Sequence, residues 1–550
     1  MLNFGNTLFK FVFCTFNYII DTPFFIDNLL QMRLYSVIFL FHIIIFVNAQ
    51  EYPPVMAFLP EMYNAENQNW SVTQTENQNM YFGNNSGLLE FNGSRWKLYP
   101  VPNNSIVRSV KADGSQVYSG SYMDFGCWKQ NQFGILQYQS LVEELNLSVL
   151  EEEQFWNIEI LDDWILFQSL TRIYLVNRTS KETKIIESEQ EILNIFNVNG
   201  IIYFAKKNNG IYKIVNGSEV LVSNSPELNS SRLVGISNID NNLLFITADN
   251  GFYFLHDNRI QPWTLRTDIS EWTIYSSTQL KDGSLILGTI SNGLKHITRD
   301  GRLKYSLDFE KGLSNNTVLS VFEDIKGNLW LGMDIGISHV NLSSRFRIYN
   351  DAKGQIGTVY TSIVHKGDLY LGTNQGLFVR SRDNSGDFNF IEGTSGQVWA
   401  LKVINDQLFC GHDLGTMIVK NGKIRTKISE ANGTWDFKKI KDSNLILQGN
   451  YSGLHILENK FGIWRYRNKV EGFDISSRFF QFVKNKLFVN HEIRGLYELE
   501  LSEDYSKILN SKPAETIQMG SGSNFIKFSN GFYYTSADGV YRFKEQSETF

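Results

Sequence analysis

The sequence predicts an all-β chain built as tandem β-propellers of four-stranded blades, one seven-bladed ring followed by an incomplete second ring of about five blades. Three observations carry this. The 550 residues are rich in Phe and Tyr (41 and 25) and poor in Pro (9), a mix that favours strands. A turn ending in Gly, followed by an apolar residue and a short alternating strand, recurs as NNSGLLEF, NNGIYKI, DNGFYFL, SNGLKHI, DIGISHV, NQGLFVR, YSGLHIL, IRGLYEL and ADGVYRF. The recurrence has a spacing of about forty residues with no paired helical pattern inside it, which excludes helical solenoids and selects a blade of four antiparallel strands.

From the N-terminus, residues 1–31 hold apolar pieces interrupted by Asp21 and Pro23 and read as a mis-assigned leader. Residues 32–49 read as a signal peptide: Met32-Arg33, the apolar run Leu34 to Val47, and the small-residue site Val47-Asn48-Ala49 before Gln50. This implies a periplasmic protein; the alternative is an uncleaved N-terminal anchor. Cys14 precedes the cleavage point, and Cys127 and Cys410 are read as two buried small residues rather than a bridge.

The blade markers are Gly87, Gly126, Gly210, Gly251, Gly293, Gly336, Gly376, Gly415, Gly453, Gly495 and Gly539. From Gly210 the intervals are 41, 42, 43, 40, 39, 38, 42 and 44 residues, and the 84 residues between Gly126 and Gly210 accommodate a degenerate unit around Leu170 to Ile173. That makes twelve units, seven in residues 50–350 and five in 351–550. Leu141, Leu145 and Val149 have helix-like spacing with charge on the other side, so a short helix is expected near 141–155.

One unit displays the physical cause. Val318 to Glu323 is a nearly all-apolar strand suited to cover on both faces, Asp324 to Gly327 turns the chain, and Leu329 to Gly332 returns it. Such a sheet cannot bury both faces alone, so neighbouring blades must cover it and close into a ring. Gly336 supplies the positive dihedral or close approach that a side chain would obstruct.

GLSNNTVLSVFEDIKGNLWLGMDIGISHV (Gly312 to Val340) resembles the propeller repeat of two-component-type regulators of Bacteroidetes-like bacteria. The segment Asn69 to Trp128, beginning NWSVTQTENQNMYFGNNSGLLEF, followed by LVEELNLSVLEEEQFW, resembles the sensor half of flavobacterial LuxR-type helix-turn-helix regulators. The resemblance implies two seven-bladed propellers in tandem, a three-tyrosine β-sandwich, a membrane helix, a coiled coil and a cytoplasmic DNA-binding domain, with membrane anchoring and dimerisation of the full-length relatives. Five units are left for a second ring that wants seven. The expectation is therefore a chain truncated before the three-tyrosine domain, with no output domain and an exposed blade edge that can dock another chain.

The candidate site is a column of residues 16 to 18 positions before the marker glycines: Trp70, Arg108, Tyr275, Tyr360, Trp399, Trp435 and Arg478, where the regular unit has Leu319. If the strand they open is innermost, they stand at the mouth of the central channel. Aromatic faces and guanidinium forks there suit a sugar or similar polar ligand. The competing reading is that the rings wedge between blades as core. Tyr122, His412, Tyr451 and His491, on loops after the second strand, form a second set.

No histidines lie at metal-ligand spacing, and no nucleophile elbow, phosphate-cradling loop or Cys/His pairing occurs, so no cofactor and no enzyme activity is expected. The net charge of -6 and the absence of a visible basic patch argue against nucleic-acid contact. The function expected from the resemblance is extracytoplasmic sensing of a glycan or other nutrient-derived ligand. A protein-binding propeller scaffold is the alternative, and a glycan-active enzyme stands behind both.

Overall fold

The computed structural model describes residues 51–550 apart from 258, 352–353, 382–387, 485, 514–521, 530, 538, 545–546 and 548–550. The leader and signal peptide read in residues 1–49 lie outside the described residues.

The unit at Gly336 folds as its pattern requires. Val318–Glu323, Leu329–Met333 and Ile337–Val340 are consecutive antiparallel strands. The Asp324 carboxylate makes the first turn by accepting from the backbone N–H of Lys326 and of Asn328, both at 2.9 Å. The fourth, outer strand comes from the start of the described chain: Val55–Phe58 pairs antiparallel with Ile337–Val340, Val55 opposite Val340 and Phe58 opposite Ile337.

Six other four-stranded sheets lie between, each made of consecutive strands. Their innermost strands are Asn69–Gln74, Ser109–Asp113, Asn157–Leu161, Ile192–Val198, Leu233–Ile239 and Ile274–Gln279. Each packs on the next. Val318–Glu323 then packs back on Asn69–Gln74, so the seven sheets form a closed ring. The core sits between sheets: Leu294, Leu307, Val318, Leu329 and Leu331, from the sixth and seventh, form one fully buried cluster.

The closing seam is aromatic. Phe58 lies parallel to Trp330 at 5.9 Å between centroids and meets the edge of Trp96 at 5.2 Å. Gly336 has φ 88°, and a Cβ there would stand 2.7 Å from the Phe58 carbonyl oxygen, so both reasons for a glycine apply at once. Asn69, fully buried, donates from Nδ2 to the Gly336 carbonyl at 2.9 Å and ties the first blade to the last.

Five further sheets follow, within Val359–Phe390, Val398–Ser429, Asp436–Lys469, Phe479–Pro513 and Asn524–Arg542, the last with three strands among the described residues. Twelve sheets are present among the described residues. The degenerate unit is an ordinary four-stranded sheet, Asn157 to Glu187.

The helix expected over 141–155 is corrected to a single turn, Leu141–Glu144, capped by Ser140 Oγ accepting from the Glu143 N–H at 3.1 Å. Asn146 adopts φ 49°, a left-handed conformation that ends the helix. The apolar spacing still has a use, because Leu145, Leu147 and Val149 pack with Leu141 against the second and third blades. Cys127 and Cys410 are free and buried, as read. Among the described residues no helix is long and apolar enough to cross a membrane.

Candidate functional site

The column residues stand at the beginnings of the innermost strands, as the sequence expects, and a recurring backbone irregularity aims them. Trp70, Tyr275, Leu319, Tyr360 and Trp399 are each the extra residue of a β-bulge: the neighbours on either side pair with consecutive residues of the second strand. Arg108, Trp156 and Trp435 are equivalent, one residue before their strands. Each amide donates to the carbonyl opposite the following residue, those of Gly120, Gln168 and Gly449. A bulge bends the strand and turns one side chain out of the alternation.

In the first ring, Arg108 lies between two indoles, its guanidinium carbon 4.2 Å from the Trp70 ring centroid and 4.7 Å from that of Trp156. Gln154 Oε1 accepts from Arg108 Nε at 3.0 Å, and Asn85 Oδ1 accepts from Trp70 Nε1 at 2.7 Å. Burial holds the Arg108 pKa below its ordinary value, and the Tyr275 hydroxyl of the sixth blade acts in the opposite direction. Arg232, one residue before the fifth blade's inner strand, lies 4.6 Å over the Tyr275 ring. Trp156 and Arg232 were not in the column read from the sequence. Trp156 belongs to the unit without a marker glycine, though it stands 17 positions before Ile173 of that unit. Arg232 falls one position outside the window.

In the following sheets the column forms one continuous arc. Tyr360 stacks on Trp399 (4.6 Å, 27°), Trp399 leans on Trp435 (4.6 Å, 43°), and Arg478 lies 4.9 Å over Trp435. Tyr451 joins it, accepting from Trp399 Nε1 at 2.9 Å. Its ring lies flat against Gly433, where a Cβ would stand 2.1 Å from Tyr451 Cγ. The rings pack on one another, with Tyr360 and Tyr451 about two-fifths exposed.

The loop set divides. Tyr122 is exposed beside Gln154, the partner of Arg108. His412 is corrected. It is fully buried, with Nε2 on the Thr394 carbonyl at 3.2 Å and Nδ1 accepting from the Leu414 N–H at 3.0 Å. The same position, after the second-strand glycine, is Asn84 and Asn450 in other blades. Both are buried and also bind carbonyls of the preceding loop. His412 therefore holds a loop and is closed to solvent. His491 accepts from the N–H groups of Ile493 and Arg494, capping its own turn.

One groove gathers lysines, with Asp442 and Glu503 among its lining. Lys402, Lys438, Lys439, Lys441 and Lys484 line this groove of about 720 Å³ at the far ends of three inner strands, opposite the aromatic arc. Asp436 pairs with Lys438 at 2.9 Å and with Lys402 at 3.4 Å, so part of that charge is already answered. The run Lys438-Lys439-Ile440-Lys441 was the available signal. No group of three or more His, Cys, Asp or Glu among the described residues could hold a metal ion.

The two component regulator propeller family matches residues 312–334. No curated protein matches the chain. Among solved structures, the extracellular domain named for the hybrid two-component system BT3049 of B. thetaiotaomicron is similar at 16% identity and a TM-score of 0.64, covering 90% of this chain and 73% of that one. That of the one-component system BT4673 from the same organism is similar at 16% identity and a TM-score of 0.44, covering 91% and 73%. Virginiamycin B lyase of Staphylococcus aureus is similar at 14% identity and a TM-score of 0.43, covering 53% and 100%. The BT3049 likeness shows a shared fold of β-propellers with four-stranded blades, and a two component regulator propeller repeat lies in the seventh blade.

Proposed function

We propose that this chain is the extracytoplasmic, periplasmic ligand-sensing region of a signal-transduction regulator of the LuxR-type class, exported by residues 32–49, with residues 50–350 and 351–550 as its two propeller units. The ligand is a glycan or similar nutrient-derived molecule, held at the channel mouths, and the role is binding rather than catalysis. The observation that supports this is the column of aromatic and Arg side chains at matching positions at the starts of inner strands, with Trp70, Tyr275, Tyr360 and Trp399 each the extra residue of a bulge. Ring faces and fixed guanidinium donors are the chemistry of sugar recognition. The regulator repeat and the fold shared with an extracellular domain support the setting.

Screening glycans by thermal shift tests it. A true ligand at about 100 times its Kd adds about 2.7 kcal/mol of stability. The shift is expected in the wild type and strongly reduced in the Trp70→Ala, Trp399→Ala, Trp435→Ala variant, which removes three of the column's indoles.

A second reading is favoured by one observation. Leu414 and Ile493, on turns beside the arc, are exposed by 53% and 82%, which suits a protein partner. Silence across the glycan screen, together with a stable protein complex abolished by Leu414→Asp and Ile493→Asp, would replace the sensor by a scaffold.

A further inference from the structure

On the side of the first ring away from the column residues, a cleft of about 350 Å³ opens between the sixth and seventh blades. Tyr275 opens the inner strand Ile274–Gln279, whereas the cleft is lined by Leu280 and Asp282 just past its end and by Glu323 at the end of the neighbouring inner strand. At roughly 3.3 Å per residue, about 15 Å separates the two positions. His296 and Tyr305 also line the cleft. They are cross-strand partners in the sixth blade, with ring centroids 4.9 Å apart at 82°, and only 2% and 5% exposed. His296 Nδ1 and the Tyr305 hydroxyl are buried, and neither has a hydrogen-bond partner among the described residues.

The tautomer of His296 follows from its neighbours. The Ser284 hydroxyl and N–H hold the Asp282 carboxyl below its ordinary range, so at neutral pH it is ionised and only accepts. Ser284 Oγ donates its one proton to Asp282 Oδ1 at 2.5 Å, which leaves a lone pair toward His296 Nε2 at 2.9 Å. Nε2 must therefore carry the ring proton. Burial keeps the ring from taking a second proton at pH 7, its pKa lowered to about 4. Nδ1 is then a bare acceptor, and a buried acceptor without a donor is costly.

A carboxylate has no proton to give Nδ1 at neutral pH, whereas a hydroxyl can donate there and can accept from Tyr305. The charged groups of the lining balance, Lys281, Lys304 and Arg347 against Glu51, Asp282 and Glu323, so neither an anion nor an ammonium is drawn in by net charge. The volume lies near the lower end of the ~300–1,000 Å³ range of small-ligand sites, room for one sugar ring rather than a polymer. We infer that this cleft is a second binding site, for a neutral polyhydroxylated molecule of monosaccharide size held through its hydroxyls by His296 and Tyr305. It stands apart from the channel mouths and does not rest on the ligand-sensing reading of them.

The test is calorimetric titration of the full chain with glucose and galactose, and with the uronate and the amino sugar of each as charged counterparts. At least one of the two neutral sugars is expected to bind, and at least as tightly as its charged counterparts. Tyr305→Phe, which removes only the unpartnered hydroxyl, should lower that affinity about ten-fold, while the ligand-free chain melts no lower than wild type. Ser284 positions the imidazole without touching the sugar. Ser284→Ala, which releases the tautomer of His296, should also weaken binding about ten-fold, and Ser284→Thr, which keeps the hydroxyl, should restore it. Silence from both neutral sugars overturns the inference and leaves the sensor reading to its own screen. Binding that neither Tyr305→Phe nor Ser284→Ala weakens would place the sugar elsewhere and overturn it too, as would a charged counterpart that binds tighter. A ligand-free Tyr305→Phe chain that melts lower than wild type would show that hydroxyl bonded within the fold, with the same result.

Discussion

Replacing Phe58 by Ala is expected to destabilise the first ring by about 3–5 kcal/mol, the usual range for truncating a buried aromatic side chain. Phe58 is only 7% exposed, although it belongs to a four-residue strand near the start of the described chain. It packs with Trp96, Phe91 and Trp330, joining blades whose sequences are more than two hundred residues apart. The strand that carries it is the fourth strand of the seventh blade. Loosening it therefore exposes the edge of that sheet as well as creating a cavity. Denaturant unfolding followed by tryptophan fluorescence and circular dichroism would measure the loss. A change below about 1 kcal/mol, the ordinary size of a surface substitution, would mean that the strand does not close the ring.

Acidification from pH 7 to pH 4 is expected to remove roughly 3 kcal/mol of stability at each of two histidines. Burial, with a further push from Lys304, lowers the His296 pKa to about 4, and burial with Lys469 lowers that of His455 to about 4. In the unfolded chain each ring titrates near ~6.5. Between those values the unfolded chain binds more protons than the folded one, so the contribution is complete above about 6.5 and is lost as the pH falls towards 4. Burial of His339 acts in the same direction. Asp124 acts against it, because burial raises its pKa and protonation relieves it. Melting curves at pH 7, 5.5 and 4.5 should fall steeply in the wild type and less so in the His296→Gln, His455→Gln variant. Equal slopes would contradict the assignment.

The blade plan was legible because each unit must solve the same local problem. A tight turn against the neighbouring loop admits only glycine, as at Gly336, and the return strand must be apolar on both faces, with Leu329 and Leu331 on one and Trp330 on the other. The closing strand was not legible. Val55 to Phe58 is too short to announce its pairing, and its partner is remote in sequence. The site was half legible. Trp70, Arg108, Tyr275, Tyr360, Trp399, Trp435 and Arg478 could be indexed from a glycine, whereas Trp156 and Arg232 could not. The bulges that aim them depend on register between strands, which residue type does not encode. His412 was misread for a related reason. A polar residue in a loop-adjacent position looks available until the fold turns it onto backbone carbonyls. The lysine groove was missed because three separate strands supply it.

The closure of the first ring fixes where each of its blades stands, and one cross-link tests it most directly. Met56 and His339 are paired across the outer strands of the seventh blade. Met56 is 58% exposed, and the native Cys127 and Cys410 are both buried, so they should not compete. Mild oxidation of the Met56→Cys, His339→Cys variant should join these positions within a single chain, as the close approach of paired strand residues permits. Peptide mass spectrometry should recover the two segments linked. Failure to form that bond, or formation only between separate chains, would show that the first strand lies elsewhere and that the ring does not close as described.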